Sequence, residues 1–265
     1  MPGLREGLFF DDVMILPRHS EVTAAETTVE SRLSSSIVLH VPFISSARQK
    51  GADYRLALTI ARAGGMGCIP LFAHVEDQAH EVRKVKELLC HDKKSACDAK
   101  GRPVVGALID LERPGLSEWV GSLAEVAADV LIVETPQADR LSVLHRIEEV
   151  KREYDWMPVM IGNVQTRAGA KDVIDAGADI VVVGSGVTSF TEATEVSGIG
   201  VPELSALMEV EDVASLYDKP IVCNMDVHTP ASVIKALAGG AAAVIFNNMT
   251  PETATAMAAQ MEDQL

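Results

Sequence analysis

Aromatic residues are scarce in this 265-residue chain, at 4%. That scarcity, beside plentiful Gly, Ala and Val, favours an aliphatic α/β core over a β-sandwich. Positive charge is also short: 23 Lys and Arg face 38 Asp and Glu, for a net charge of −15. A protein that coats duplex nucleic acid, or one held on anionic lipid, needs the opposite sign, so neither partner is expected. An anionic small ligand stays open, provided local backbone N–H groups offset the global field. Cysteine is sparse. Cys68, Cys90, Cys97 and Cys223 form no CxxC pair and no zinc spacing, and they read as reduced thiols of a cytoplasmic protein. No apolar run approaches the roughly eighteen residues of a membrane span. The stretch Met1 to Phe10 carries Arg5 and Glu6 and lacks a long apolar segment, so a signal peptide is not expected.

What is present is ordered sequence. The 48% hydrophobic and 23% charged content excludes intrinsic disorder. Short aliphatic runs recur at Val41–Ala47, Met66–Pro70, Val104–Ile109, Val130–Glu134, Val159–Asn163, Ile180–Ser185, Ile221–Asn224 and Ala243–Asn247. They are continuous rather than alternating, as in parallel strands buried on both faces. Amphipathic segments lie between them: Asp53–Ala63, Val75–Leu89, Leu116–Ala127, Leu141–Glu153, Thr166–Ala176, Pro202–Leu216 and Thr229–Ala238, with Pro251–Gln264 at the end. Ala63-Gly64, Ala176-Gly177 and Ala238-Gly239-Gly240 each end a helix just before a strand. Eight strands alternating with eight helices predict a single-domain (β/α)8 TIM barrel, and a chain of about 250 residues fits that fold. A doubly wound open sheet is the alternative. The polar stretch His91–Lys100 reads as a surface excursion.

A barrel keeps its chemistry at the C-terminal ends of its strands. Those ends carry Ser46 and Arg48 after strand one, His74 after strand two, Asp110 after strand three and Glu134 after strand four. Asn163 follows strand five, Asn224, Asp226 and His228 follow strand seven, and Asn247 and Asn248 follow strand eight. The longest loop there follows strand six. Its Gly184-Ser185-Gly186 opening lets backbone N–H groups turn toward an anion, and Thr188, Ser189 and Thr191 add hydroxyl donors. Asp110, Glu134, Asp226 and His228 are of metal-ligating type, but no pair has a diagnostic spacing, so no metal is expected.

The order of motifs resembles the IMP dehydrogenase/GMP reductase barrels. The resemblance rests on Leu8-Phe9-Phe10-Asp11-Asp12-Val13, Val41-Pro42-Phe43-Ile44-Ser45-Ser46 and Gly64-Gly65-Met66-Gly67. It continues through Glu76-Asp77-Gln78, Gly162-Asn163-Val164-Gln165-Thr166, Val183-Gly184-Ser185-Gly186 and Gly198-Ile199-Gly200-Val201-Pro202-Glu203. It implies a purine nucleotide ligand, a nicotinamide cofactor, and a homo-oligomer, commonly a tetramer. FMN is a further candidate, since related barrels bind its phosphate near strands seven and eight.

The resemblance also exposes departures. The family's cysteine nucleophile aligns with Thr191, and the family's threonine two residues on aligns with Ala193. A threonine hydroxyl needs an adjacent base, and Glu192 is the nearest in sequence. Where the family has an aspartate and two glycines after strand seven, this chain has Asn224, Met225 and Asp226. Asn247-Asn248 replaces a glycine–serine pair, and Arg48-Gln49 replaces a methionine and an aspartate. The gap between Lys86 and Val104 is too short for a CBS pair, and only one helix is expected after Asn248, with no flap. Three readings follow. The first is a divergent barrel without cysteine-dependent hydride transfer that either binds a purine nucleotide or another phosphorylated metabolite or acts as a structural or regulatory partner. The second is an active NAD(P)- or FMN-dependent oxidoreductase with reassigned residues, Glu134 and Asp226 being acid–base candidates. The third is an ordinary dehydrogenase or reductase.

Overall fold

The computed structural model describes residues 6–19, 21–23, 26–49, 51–184, 198–225, 227, 229–247, 249–250, 252–253 and 256. A hairpin of two short strands, β1 (Ser31–Arg32) and β2 (Val38–Leu39), precedes eight parallel strands. These are β3 (Phe43–Ser45), β4 (Gly67–Ile69), β5 (Val105–Ile109), β6 (Val130–Glu134), β7 (Val159–Val164), β8 (Ile180–Gly184), β9 (Ile221–Asn224) and β10 (Ala243–Phe246). Each pairs in parallel with its successor from β4 to β10, and β10 pairs with β3. The Ile44–Met66 bridge joins β3 to β4 and closes the ring. The alternating pattern therefore yields the expected (β/α)8 barrel rather than an open sheet.

The helices fill the intervals as the apolar periodicity requires: α1 (Tyr54–Arg62), α2 (Val75–Lys86), α3 (Leu116–Glu125), α4 (Leu141–Glu153), α5 (Arg167–Asp175), α6 (Glu203–Ala214) and α7 (Pro230–Ala238). The expected helix over Pro251–Gln264 lies largely outside the described residues. Local chemistry sets the starts. Asp53 accepts from the Arg55 and Leu56 N–H groups, and Thr166 accepts from that of Gly169. The recurrent glycine turn supplies left-handed residues where helices stop, as at Gly64 (φ 96°) and Gly177 (φ 112°).

Strand periodicity sorts the apolar residues into two layers. Leu131 and Val133 of β6 face the helices, whereas Val130 and Ile132 face the barrel axis with Ile44, Met66, Met160 and Val182. The β1–β2 hairpin closes the N-terminal end by inserting Leu33, Ile37 and Leu39 into that inner layer. Its residues Arg32–Ser35 share a surface groove with Pro158, Asp179 and Pro220, all of which precede strands. No run in 31–39 is long enough to announce such a plug from sequence.

The reading of four reduced thiols is corrected for two of them. Cys90 and Cys97 are joined in a disulfide between α2 and β5, with Cα atoms 6.6 Å apart. The stretch around them is more than a surface excursion. Cys97 bridges antiparallel to Pro103, the Cys90 N–H donates to Gly101 O, and Ser95 and Ala96 are buried. That return of the chain brings the two sulfurs together, which spacing alone does not reveal. Cys68 and Cys223 are free and buried in strands, as expected.

Candidate active site

The period of two that packs the core also builds the site. Continuing the inward-facing positions of β6 and β9 toward their C-terminal ends gives Glu134 after Ile132 and Asn224 after Val222. Asn224 Nδ2 donates to Glu134 Oε1 at 3.0 Å and to Asn163 Oδ1 at 3.1 Å. Asn163 Nδ2 donates to Thr135 O at 3.3 Å, and its main-chain N–H donates to the same oxygen at 2.7 Å. Gly184 completes this layer by leaving space. A Cβ there would collide with Asn224 O and Asn163 Oδ1, so the two asparagines fill what a side chain on β8 would occupy.

Arg48 closes the network from above. It leaves the end of β3, crosses to β6, donates from Nη2 to Glu134 O and holds Nε 3.5 Å from Glu134 Oε2. The Glu134 side chain is only 12% exposed, and that of Arg48 is 52% exposed. Burial pushes the Glu134 carboxyl above the usual range, while Arg48 and the Asn224 amide partly oppose the shift.

Of the residues expected at the site, Glu134, Asn163, Gly184, Asn224 and Arg48 therefore converge. Ser46 is buried at the same rim, donating its N–H to Phe246 O and accepting from the Arg48 N–H at its hydroxyl. Asn247 follows Phe246 and is half-buried. His74 is exposed at the start of α2, and Asp110 accepts from the Glu112 N–H in a local turn; neither joins the network. Gly186, Thr188, Ser189, Thr191, Glu192, Asp226, His228 and Asn248 lie outside the described residues. Among the described residues, no three His, Cys, Asp or Glu side chains are grouped to hold a metal.

Other residues support the rim. Gln78 is fully buried on the apolar face of α2. Its Nε2 donates to Pro70 O (2.9 Å) and Leu108 O (2.8 Å), and its Oε1 accepts from Trp119 Nε1 (2.7 Å). Arg113 lies 4.0 Å over the Trp119 ring and bonds Phe72 O and Ala73 O. Together they pin the loops after β4 and β5. A glutamine within the apolar stripe Val75, Ala79 and Val82 was the available signal. Gln49 donates from Nε2 to Met249 O at 2.6 Å, tying the first strand's end to the eighth's.

The sulfurs are not exposed on this face. Cys68 points into the barrel, packed with Met66 and Ile132, and burial, with a smaller push from the nearby Glu134 carboxylate, drives its thiol far up. Cys223 points to the helices, and burial pushes its thiol to about 12. The Cys90–Cys97 pair lies in a helix-to-strand connection, at the opposite end of the barrel.

The sequence of residues 7–263 matches the IMP dehydrogenase / GMP reductase domain. The chain belongs to this family. The inosine-5'-monophosphate dehydrogenase of Cryptosporidium parvum is 30% identical over 284 aligned residues, spanning 95% of this chain and 69% of the relative. That of Borreliella burgdorferi is 28% identical, spanning 92% of this chain and 70% of the relative. That of Aquifex aeolicus is 27% identical over an alignment of 365 residues, spanning 94% of this chain and 74% of the relative. The last alignment is longer than this whole chain, so the Aquifex relative carries about a hundred residues that face gaps here. Within the IMP dehydrogenase/GMP reductase barrel, this member devotes the acidic end of its fourth strand to an internal network. Both Glu134 carboxylate oxygens face donors of the chain itself.

Proposed function

We propose that this chain is a divergent IMP dehydrogenase/GMP reductase barrel that does not run cysteine-dependent hydride transfer and binds a purine nucleotide or another phosphorylated metabolite at its C-terminal face. The observation that carries the reading is the disposition of sulfur. Two thiols are locked in strands with their ionisation suppressed by burial, and the other two are consumed in a disulfide at the far end. A covalent intermediate needs an accessible thiolate, and none of these four atoms offers one. The identity of residue 191 as threonine agrees with this. By resemblance, the family meets its nicotinamide cofactor with an aspartate at the fourth strand, where this chain has Glu134; a cofactor donor bound there would have to displace Arg48 and Asn224. A homo-oligomer completes the proposal by family resemblance.

The test is direct. Thermal unfolding is followed while IMP, GMP and XMP are titrated, and NADH formation is followed by absorbance with IMP and NAD. We expect stabilisation by at least one nucleotide, about 2.7 kcal/mol at 100 times its dissociation constant, with no turnover. Turnover by the unmutated chain would overturn the reading.

One observation favours a second reading, that of an oxidoreductase with reassigned residues. Glu134 is a buried carboxyl at the barrel mouth whose pKa burial raises above the usual range, a type of group suited to acid–base work. A yellow purified protein, or loss of a measured oxidoreductase activity in Glu134→Gln, supports that alternative.

A further inference from the structure

The barrel closes at its thinnest joint. Among the described residues, β3 and β4 meet in the single Ile44–Met66 bridge, whereas every other neighbouring pair of the ring is in register at two or more positions. Met66 donates its N–H to Phe43 O at 2.9 Å, and Ser45 donates its own to Met66 O at 3.1 Å. The Cys68 N–H is met by a side chain, the Ser45 hydroxyl, at 2.9 Å. Ser45 is followed by Ser46 and Arg48, so this seam runs into the mouth.

The disulfide loop lies against the turn that feeds β4. The Ala96 N–H donates to Ala61 O at 2.8 Å, and the Ser95 hydroxyl donates to Arg62 O at 3.3 Å. Lys94 O passes so close to Gly64 that a Cβ there would lie 2.9 Å from it. The loop has little burial of its own to hold it in place. From Leu88 to Arg102 only Ser95 and Ala96 are buried, so no large apolar side chain anchors it. Two ties to the end of α2 fix it instead: the Lys86–Asp98 ion pair at 3.2 Å and the Cys90–Cys97 bond. Both bonded cysteines are partly exposed beside the exposed stretch His91–Lys94, which gives a small reagent access. Cys68 and Cys223 are buried, which leaves Cys90 and Cys97 as the sulfurs open to exchange.

We infer that Cys90–Cys97 is a redox-modification site whose opening by a dithiol releases the 88–102 loop from the Ala61–Gly64 turn and loosens the seam between β3 and β4. One thiolate of the dithiol attacks a sulfur of the bond, forms a mixed disulfide and expels the other cysteine as thiolate. The second thiol of the reagent then displaces the first cysteine. The protein gains two electrons and two protons, and the reagent leaves as its own disulfide. The Lys86–Asp98 pair keeps the loop tethered, so the change is a local opening and not global unfolding.

Hydrogen exchange followed by mass spectrometry tests this on the full chain, oxidised, reduced by dithiothreitol and re-oxidised with oxidised glutathione, beside Cys90→Ala/Cys97→Ala. Alkylation and intact mass fix the state of the sulfurs in each sample. The expected result is exchange about tenfold or more faster after reduction in peptides covering 60–68 and 88–104, a smaller rise in 43–49, and none in 143–153 or 221–224. Re-oxidation restores slow exchange, and the double variant exchanges like the reduced wild type with or without dithiothreitol. Should that variant fail to fold, the reduced and re-oxidised wild type decides alone. Reduced wild-type protein that exchanges as slowly as the oxidised form overturns the inference. Acceleration confined to 88–104, or spread evenly over the chain, overturns it as well. Four free thiols persisting after treatment with oxidised glutathione do the same.

Discussion

Asn224, at the end of the seventh barrel strand, donates its amide to the carboxylate of Glu134, at the end of the fourth, over 3.0 Å. The contact crosses the barrel interior and binds two strands that are not neighbours in the sheet. It also buries a titratable group at the mouth, which makes stability sensitive to pH. Burial raises the Glu134 pKa in the folded state despite Arg48 and Asn224. The folded protein thus binds the proton more tightly than the unfolded chain, so Glu134 makes stability fall as pH rises from the ordinary carboxyl range through the raised value. Urea midpoints measured across that range should show this slope in the wild type, and Glu134→Gln should flatten it. An unchanged slope in the variant would show that Glu134 is not its source.

The N-terminal end carries the opposite dependence. Lys86 is buried between Asp98 and Asp129. Burial opposes the charge of Asp98, but the Arg102 N–H, the Arg102 guanidinium and Lys86 outweigh it and bring the carboxyl to about 2. Its contribution is full above the unfolded value, about pH 4, and is lost as pH falls toward 2. Asp129, raised chiefly by burial, has the opposite sign. Acid titration of unfolding should show Asp98→Asn losing part of the steep limb between about pH 4 and pH 2.

Gln78 holds three buried hydrogen bonds with no water-facing alternative. Gln78→Ala strands two carbonyls and the Trp119 indole N–H and leaves a void. The expected loss is about 3 kcal/mol in denaturant unfolding. Gln78→Glu should be at least as damaging, since a carboxylate cannot donate to Pro70 O and Leu108 O. A loss under about 0.5 kcal/mol in both variants would contradict the role assigned to it.

The disulfide has a simple count as its check. Thiol titration of the denatured, unreduced protein should find two reactive groups, Cys68 and Cys223, and four after reduction. Non-reducing peptide mapping should recover Cys90 linked to Cys97. Cys90→Ser should cost about 2 kcal/mol, since the bond closes a short loop.

The strand runs, the helix periodicity and the glycine turns determined the barrel from sequence alone. Val130–Glu134, Ile221–Asn224 and Leu141–Glu153 appear with the bounds their patterns predict. Such patterns repeat within a few residues, and a local repeat is all that an amphipathic helix or a buried strand requires. The residue types at the barrel mouth were legible in the same way, because each strand's C-terminal end is known once the strand is. Only the tertiary structure decided what those residues do together. It spent the Glu134 carboxylate on Arg48, 86 residues away, and on Asn224, 90 residues away. It drew Cys90 and Cys97 into one bond. Those outcomes depend on which side chains face each other across a closed ring, a relation set by packing in space and invisible to any local pattern in the chain.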